Sequence, residues 1–163
     1  KELTTVHRSS YVETYSLMNT ILNTHFDNLG LTPDAKEWLL DYWDVIQGLD
    51  DWRDNDASPD KEKEKVIYQV LVKMPSNPFF LAYSYSLLPI MSNMVLKWIG
   101  ANKLEDSKEH FNKAYMWRAA YYDVVLEVVR LLYGYTVAAE ASAYVAKMYG
   151  ENFEDYIKEF ENA

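Results

Sequence analysis

The sequence predicts an all-α protein, an irregular bundle of six to seven helices, and three observations carry that expectation. Apolar residues recur at steps of three and four along most of the chain, helix start and stop signals divide it, and strand signals are nearly absent. The β-branched run Val124-Val125 with Val128-Val129 sits inside an unbroken helical period without turn residues. A length of 163 residues fits one domain spanning 1–163, and no linker, repeat or low-complexity tract interrupts it.

Taken in order, Ser10 with Glu13 makes a capping box that opens a first helix through Tyr15, Met18, Leu22 and Phe26, which Asn28-Leu29-Gly30 stops. Thr32-Pro33-Asp34 starts a second with a hydroxyl cap, a proline in the first turn and an acid beside the positive helix end, and it runs to about Asn55. Ser58-Pro59-Asp60 repeats that start for a third through Val66, Val70 and Leu71, and Lys73 to Asn77 reads as a turn. Asn77-Pro78 opens a fourth, apolar helix that Pro89 should bend and Gly100 to Asn102 should end. Between Pro78 and Ile99 only Lys97 is charged, so this stretch has the length of a membrane span. Ser84, Ser86, Pro89, Ser92 and Asn93 lower its hydropathy, and a buried central helix is expected instead of a span. A long fifth helix follows from about Glu105 to Tyr133, closed by Gly134. A small-residue sixth covers Val137 to Tyr149, and a short acidic one begins near Glu151.

Composition narrows the function. With 16 basic against 25 acidic residues and a net charge of -9, the chain lacks the clustered cations that phosphate backbones require, so no nucleic-acid partner is expected. Zero cysteines exclude thiolate chemistry, disulfides and cysteine zinc sites. The opening residues Lys1 to Thr5 lack the apolar stretch of a signal peptide. His7, His25 and His110 show no ligand spacing, and no Ser/His/Asp set supports covalent catalysis. Fourteen tyrosines against six phenylalanines suit core margins and partner surfaces, which favours a protein partner or self-association.

One chemically suggestive feature remains, the aspartate-dense stretch 41–56. On a helix, Gln47, Asp50, Asp51 and Asp54 fall on one stripe with Asp44 beside them, opposite Tyr42, Val45, Ile46, Leu49 and Trp52. Carboxylates at these spacings repel one another, and they crowd the helix end whose dipole disfavours anions. Mg²⁺ or another divalent cation held by Asp44, Gln47, Asp50, Asp51 and Asp54 would compensate, and basic side chains from another helix would serve equally. Arg118 and Arg130 on the fifth helix are the cations considered for that role. Asp123, Glu127 and Arg130 lie at i, i+4 and i+7, on one stripe that can pair internally.

Two resemblances meet at these residues. Gln47-Gly48-Leu49-Asp50-Asp51-Trp52-Arg53-Asp54 resembles the aspartate-rich motif of polyprenyl diphosphate synthases, which implies Mg²⁺ on Asp50, Asp51 and Asp54 against a diphosphate. Those enzymes use a second such helix, and this sequence has none. Over roughly residues 40–135, the acidic helix is followed by Met74-Pro75-Ser76-Asn77-Pro78-Phe79-Phe80, Leu88-Pro89, Lys97-Trp98, Ala101-Asn102-Lys103-Leu104-Glu105 and Met116-Trp117-Arg118-Ala119-Ala120-Tyr121-Tyr122-Asp123. In that order these are similar to a family of small helical bacteriophage and prophage proteins without assigned activity. That resemblance implies a protein of the virion or host cytoplasm that works by binding, as a virion component or against a host factor. The competing expectation is a Mg²⁺-dependent enzyme acting on a phosphorylated substrate through Asp50, Asp51 and Asp54.

Overall fold

The chain enters its first described helix already within the period of Met18, Leu22 and Phe26, and the computed structural model describes residues 17–56 and 59–161. The capping residues Ser10 and Glu13, Tyr15, and Ser58 of the third start signal lie outside those residues. The protein is all-α, as its sequence predicts, with no strand among the described residues. It divides into two compact units, Lys1–Asn77 and Pro78–Ala163.

In the first unit, α1 covers residues 17–28, α2 Pro33–Arg53, α3 Asp60–Tyr68 and the single turn α4 Met74–Ser76, with a π-helical turn, Gln69–Lys73, joining α3 to α4. Pro33 occupies the first turn of α2 as expected, but the Thr32 hydroxyl makes no cap bond. The buried apolar residues are Leu22, Phe26, Leu31, Ala35, Trp38, Leu39, Tyr42, Val45, Val66 and Met74. Asn77 closes the unit, donating from Nδ2 to the Asp34 carbonyl at 3.0 Å.

The π turn adds a residue to the helical repeat and rotates the positions after it. Val66 stays buried, but the next inward position falls to Gln69, while Val70, Leu71 and Val72 point outward. The predicted apolar face through Val70 and Leu71 is therefore corrected. Those two side chains join Ile67 and Tyr68 in an exposed apolar run.

Gly48 fits the close approach of α2 and α3: a Cβ there would lie 2.6 Å from Cγ2 of buried Val66. Valine in a helix has one favoured rotamer and cannot swing aside. Gly48→Ala should therefore lose more to overpacking, about 1–3 kcal/mol, than the roughly 1 kcal/mol of helix propensity it gains. A lowered urea midpoint by circular dichroism checks this; a raised one would show that the helices separate at little cost.

In the second unit, α5 spans Pro78–Asp106, α6 Phe111–Arg118, α7 Tyr121–Tyr133, α8 Tyr135–Lys147 and α9 Phe153–Glu161. α5 packs on α6 and α7, α7 on α8, and α6 on α9. Val124, Val125, Val128 and Val129 are fully buried on α7, the β-branched run that the helical period assigned correctly. Ala101, Ala114 and Tyr156 form a smaller core, against which Leu104, Phe111, Tyr115, Ile157 and Phe160 pack.

Two boundaries differ from expectation. Gly100 does not stop α5; a Cβ there would lie 2.6 Å from the Trp117 ring, so the glycine admits α6. The expected fifth helix is divided into α6 and α7 by a turn at Ala119-Ala120. α1, α2 and α5 end alike, on the left-handed residues Gly30, Asn55 and Lys108. In each case the next amide reaches back five residues: Leu31 to Phe26, Asp56 to Asp51 and Glu109 to Leu104, at 2.9–3.1 Å. Lys108 carries a side chain in a conformation that favours glycine, which is why the sequence conceals this stop.

A third difference bears on function. The expected burial of the apolar helix does not hold, because only 17% of the apolar window of α5 is buried. Phe79, Leu87, Met94 and Ala101 face the core, while Leu81, Tyr85, Leu88, Val95, Leu96 and Ile99 are exposed. By length and composition α5 also suffices to cross a membrane.

Candidate functional site

The aspartates of α2 differ in their surroundings. α3 and the π turn pack along the side that carries Asp41, Asp44 and Gly48, and there a polar network forms. Asp41 is buried and its Oδ1 accepts from Gln69 Nε2 at 3.1 Å and Lys73 Nζ at 2.9 Å. Asp44 accepts from Asn19 Nδ2 at 3.3 Å, Gln69 Nε2 at 3.3 Å and Lys65 Nζ at 3.4 Å. Counter-charge thus comes to Asp44 from Lys65 and to Asp41 from Lys73, with Glu37 also 3.4 Å from Lys73 Nζ. Desolvation pulls the Lys73 ammonium down, but hydrogen bonds and charge from Asp41 and then Glu37 outweigh it and raise Lys73 above its ordinary value. With Nε2 turned to the carboxylates, Gln69 leaves its buried Oε1 without a hydrogen-bond partner.

Gln47, Asp50 and Asp51 are half-buried further along α2, and Asp54 is exposed, paired with Arg53 at 3.0 Å. Among the described residues, no three His, Cys, Asp or Glu side chains converge in a way that could hold a metal ion. Of the set Asp44, Gln47, Asp50, Asp51 and Asp54, Asp44 is directed to Lys65 and Gln69.

Arg118 and Arg130 serve other carboxylates. Arg130 pairs with Glu127 one turn away, as their spacing predicts, and Lys97 meets Asp123 at 2.9 Å. Arg118 reaches back across the α5–α6 reversal. Its Nε donates to Glu105 Oε1 at 2.7 Å, and its Nη2 to Glu105 Oε2 and Asn102 Oδ1, each at 2.5 Å. Tyr156 of α9 adds a hydroxyl donor to Glu105 Oε1 at 2.7 Å. Around this ion pair stand Tyr115, Tyr149 and Phe153, with Tyr149 donating to Glu151 Oε2 at 2.9 Å. Burial raises the Tyr156 and Tyr149 phenols, with Glu105 and then Glu151 adding to the first and Glu151 to the second, and burial alone pushes Tyr122 up to about 12. Glu159 is raised by burial and by the nearby charges of Glu151 and Glu105, against which Arg118 pulls. The arrangement buries a neutralised ion pair and clamps α9 to α5 and α6. Its carboxylate accepts from both Arg118 and Tyr156.

Sequence reasoning missed Asp41, Gln69 and Lys73, although Asp41 stands one turn from Asp44 and Gln69 one turn from both Lys65 and Lys73. It also missed Glu105 as the Arg118 partner, since the reversal between them carries neither glycine nor proline.

Besides the exposed run of Ile67, Tyr68, Val70 and Leu71, the outward face of α5 is a second apolar surface among the described residues. Tyr85 is 94% exposed, Leu81 63%, Leu96 62% and Leu88 53%. Together with Val95 and Ile99 they present on the order of several hundred Å² of apolar surface, at or above the largest patch of a typical monomer.

No family model matches this sequence, and neither a curated protein nor a solved structure matches it.

Proposed function

We propose that this protein works by binding, and that the outward face of α5 is its binding surface. In the phage or prophage setting that the sequence resemblance implies, it serves as a virion component or engages a host factor, in the virion or the host cytoplasm. The single observation behind the reading is the exposure of Leu81, Tyr85, Leu88, Val95, Leu96 and Ile99 on one helix. Water-facing apolar area of this extent is costly, about 25 cal/mol per Å², and a partner that covers it recovers that free energy.

The test separates a docking face from a misjudged core. In dilute protein, Leu88→Asp/Leu96→Asp should keep its helical circular dichroism and lie within about 0.5 kcal/mol per site of wild type in urea. An environment-sensitive apolar dye that lights up on wild type should lose most of its signal. A loss of several kcal/mol would mean these leucines are core residues and would end the reading. In the same melts 10 mM Mg²⁺ should leave the midpoint unchanged; a rise abolished by Asp50→Asn/Asp54→Asn would move the function to a metal-dependent activity on a phosphorylated substrate.

A further inference from the structure

We propose that the occupant of this face is a second copy of the same chain, paired through α5 in antiparallel orientation about a two-fold axis passing beside Ile90. The inference rests on the binding reading above and adds the identity of the partner. Its basis is the spacing along the exposed face. Leu81, Tyr85, Leu88, Ser92, Val95 and Ile99 follow one another at steps of four, three, four, three and four. That is the 3.5-residue repeat with which two helices keep a common seam, sustained over about 27 Å of helix. The order of steps reads the same in both directions, so two copies related by a two-fold axis bring every seam position opposite another, as an isologous contact requires.

Side-chain size selects the orientation. In the antiparallel pair, Leu81 meets Ile99 of the second copy, the large Tyr85 meets the smaller Val95, and Leu88 meets Ser92. Bulk from the first half of the helix then fills the space left by the second half. A parallel pair would oppose Tyr85 to Tyr85, leave Ser92 against Ser92 and bring two Lys103 ammoniums to one edge. Charge permits the approach: although the chain carries -9, α5 holds no carboxylate before Glu105, and its one cation along the seam region, Lys97, is turned to Asp123. The exposed parts of the seam residues with Leu96 are of the order of the roughly 800 Å² that each partner contributes to a standard interface.

A lipid surface is the other apolar occupant to weigh. Membrane-surface helices flank their apolar face with lysines and arginines that meet anionic headgroups. Here the first twenty residues of α5 offer only Lys97, already paired, and the opposite side of the helix is held in the protein by Leu87, Met94 and Ala101. The observations therefore favour a protein partner, and a self-complementary one.

The absence of cysteine makes the test direct. Sedimentation equilibrium from 0.1 to 100 µM should show a monomer passing to a dimer, and Leu88→Asp/Val95→Asp should weaken the association at least 100-fold with helical circular dichroism retained. L81C mixed with I99C should give a mixed disulfide dimer under mild oxidation, several-fold above either variant alone. Self-crosslinking of each variant alone would overturn the antiparallel pairing. A wild type that stays monomeric, yet still binds the apolar dye through this face, overturns the pairing and leaves the binding reading standing; a monomer that binds no dye overturns both. Co-sedimentation of the monomer with phosphatidylcholine vesicles, lost in the aspartate variant, would replace the second copy by a bilayer.

Discussion

Glu105→Ala is expected to cost the second unit about 3–5 kcal/mol, the largest effect of any single substitution argued from this fold. Glu105 and Arg118 are both largely removed from water, their side chains 8% and 18% exposed. Alanine takes from the guanidinium the carboxylate that it meets through Nε and Nη2, and deprives the Tyr156 hydroxyl of its acceptor. The uncompensated charge dominates, because a buried cation loses hydration that a neutral amide cannot replace. Glu105→Gln keeps the shape and one acceptor and should fall between. The informative variant is Glu105→Ala/Arg118→Met. Removing both charges should recover most of the loss, because the penalty lies in the orphaned partner and not in the missing bond. Urea denaturation followed by near-ultraviolet circular dichroism, which reports the tyrosines around the pair, checks the series. A double variant no better than Glu105→Ala would show that the carboxylate itself, through Tyr156, holds α9 in place.

Asp41→Ala should be the most damaging change in the first unit, at about 2–3 kcal/mol. The figure is set below that for Glu105 because the Lys73 side chain is 42% exposed and regains water when its partner goes. Gln69 is buried and loses one of the two carboxylates, Asp41 and Asp44, that its amide nitrogen meets. Asp41→Asn preserves that acceptor and should cost about half as much. By contrast, Asp54→Ala removes only a surface contact with Arg53 and should stay within about 0.5 kcal/mol. The ranking, Asp41 far above Asp54, reverses what the aspartate-rich motif alone would lead one to expect. Lys73 adds a pH signature. The unfolded chain releases this proton near 10.5, whereas Asp41 and Glu37 hold it higher in the fold. Its contribution is therefore complete below 10.5 and fades as pH rises through the elevated value, so Lys73→Met should lose less stability than wild type above pH 10.5.

What the chain revealed of itself depended on whether the signal was local. Helical periods and the starts at Pro33 and Pro78 read correctly because a helix bonds within its own segment, and its propensities act residue by residue. The valines of α7 read as helix for the same reason: their period outweighed their β-branching. The need for counter-charge beside Asp44 was legible from like-charge spacing, but its source, Lys65, was not, because a charge pattern does not name the neighbour that answers it.

The sequence by itself determined the all-α class, the acidic surface charge and the apolar character of α5, since each follows from composition and local period. Only the tertiary structure decided which way those residues face. Gly100 looks like a stop and is a point of close approach to Trp117; Lys108 looks like a helical residue and ends a helix. Val70 and Leu71 read as core, but within the π turn they face outward, and the buried positions are Gln69 and, five residues on, Met74. α5 read as a buried span because it is apolar, yet burial is a property of what packs against a residue. One side of that helix is covered by its own chain, and the side bearing Tyr85 and Leu88 faces outward.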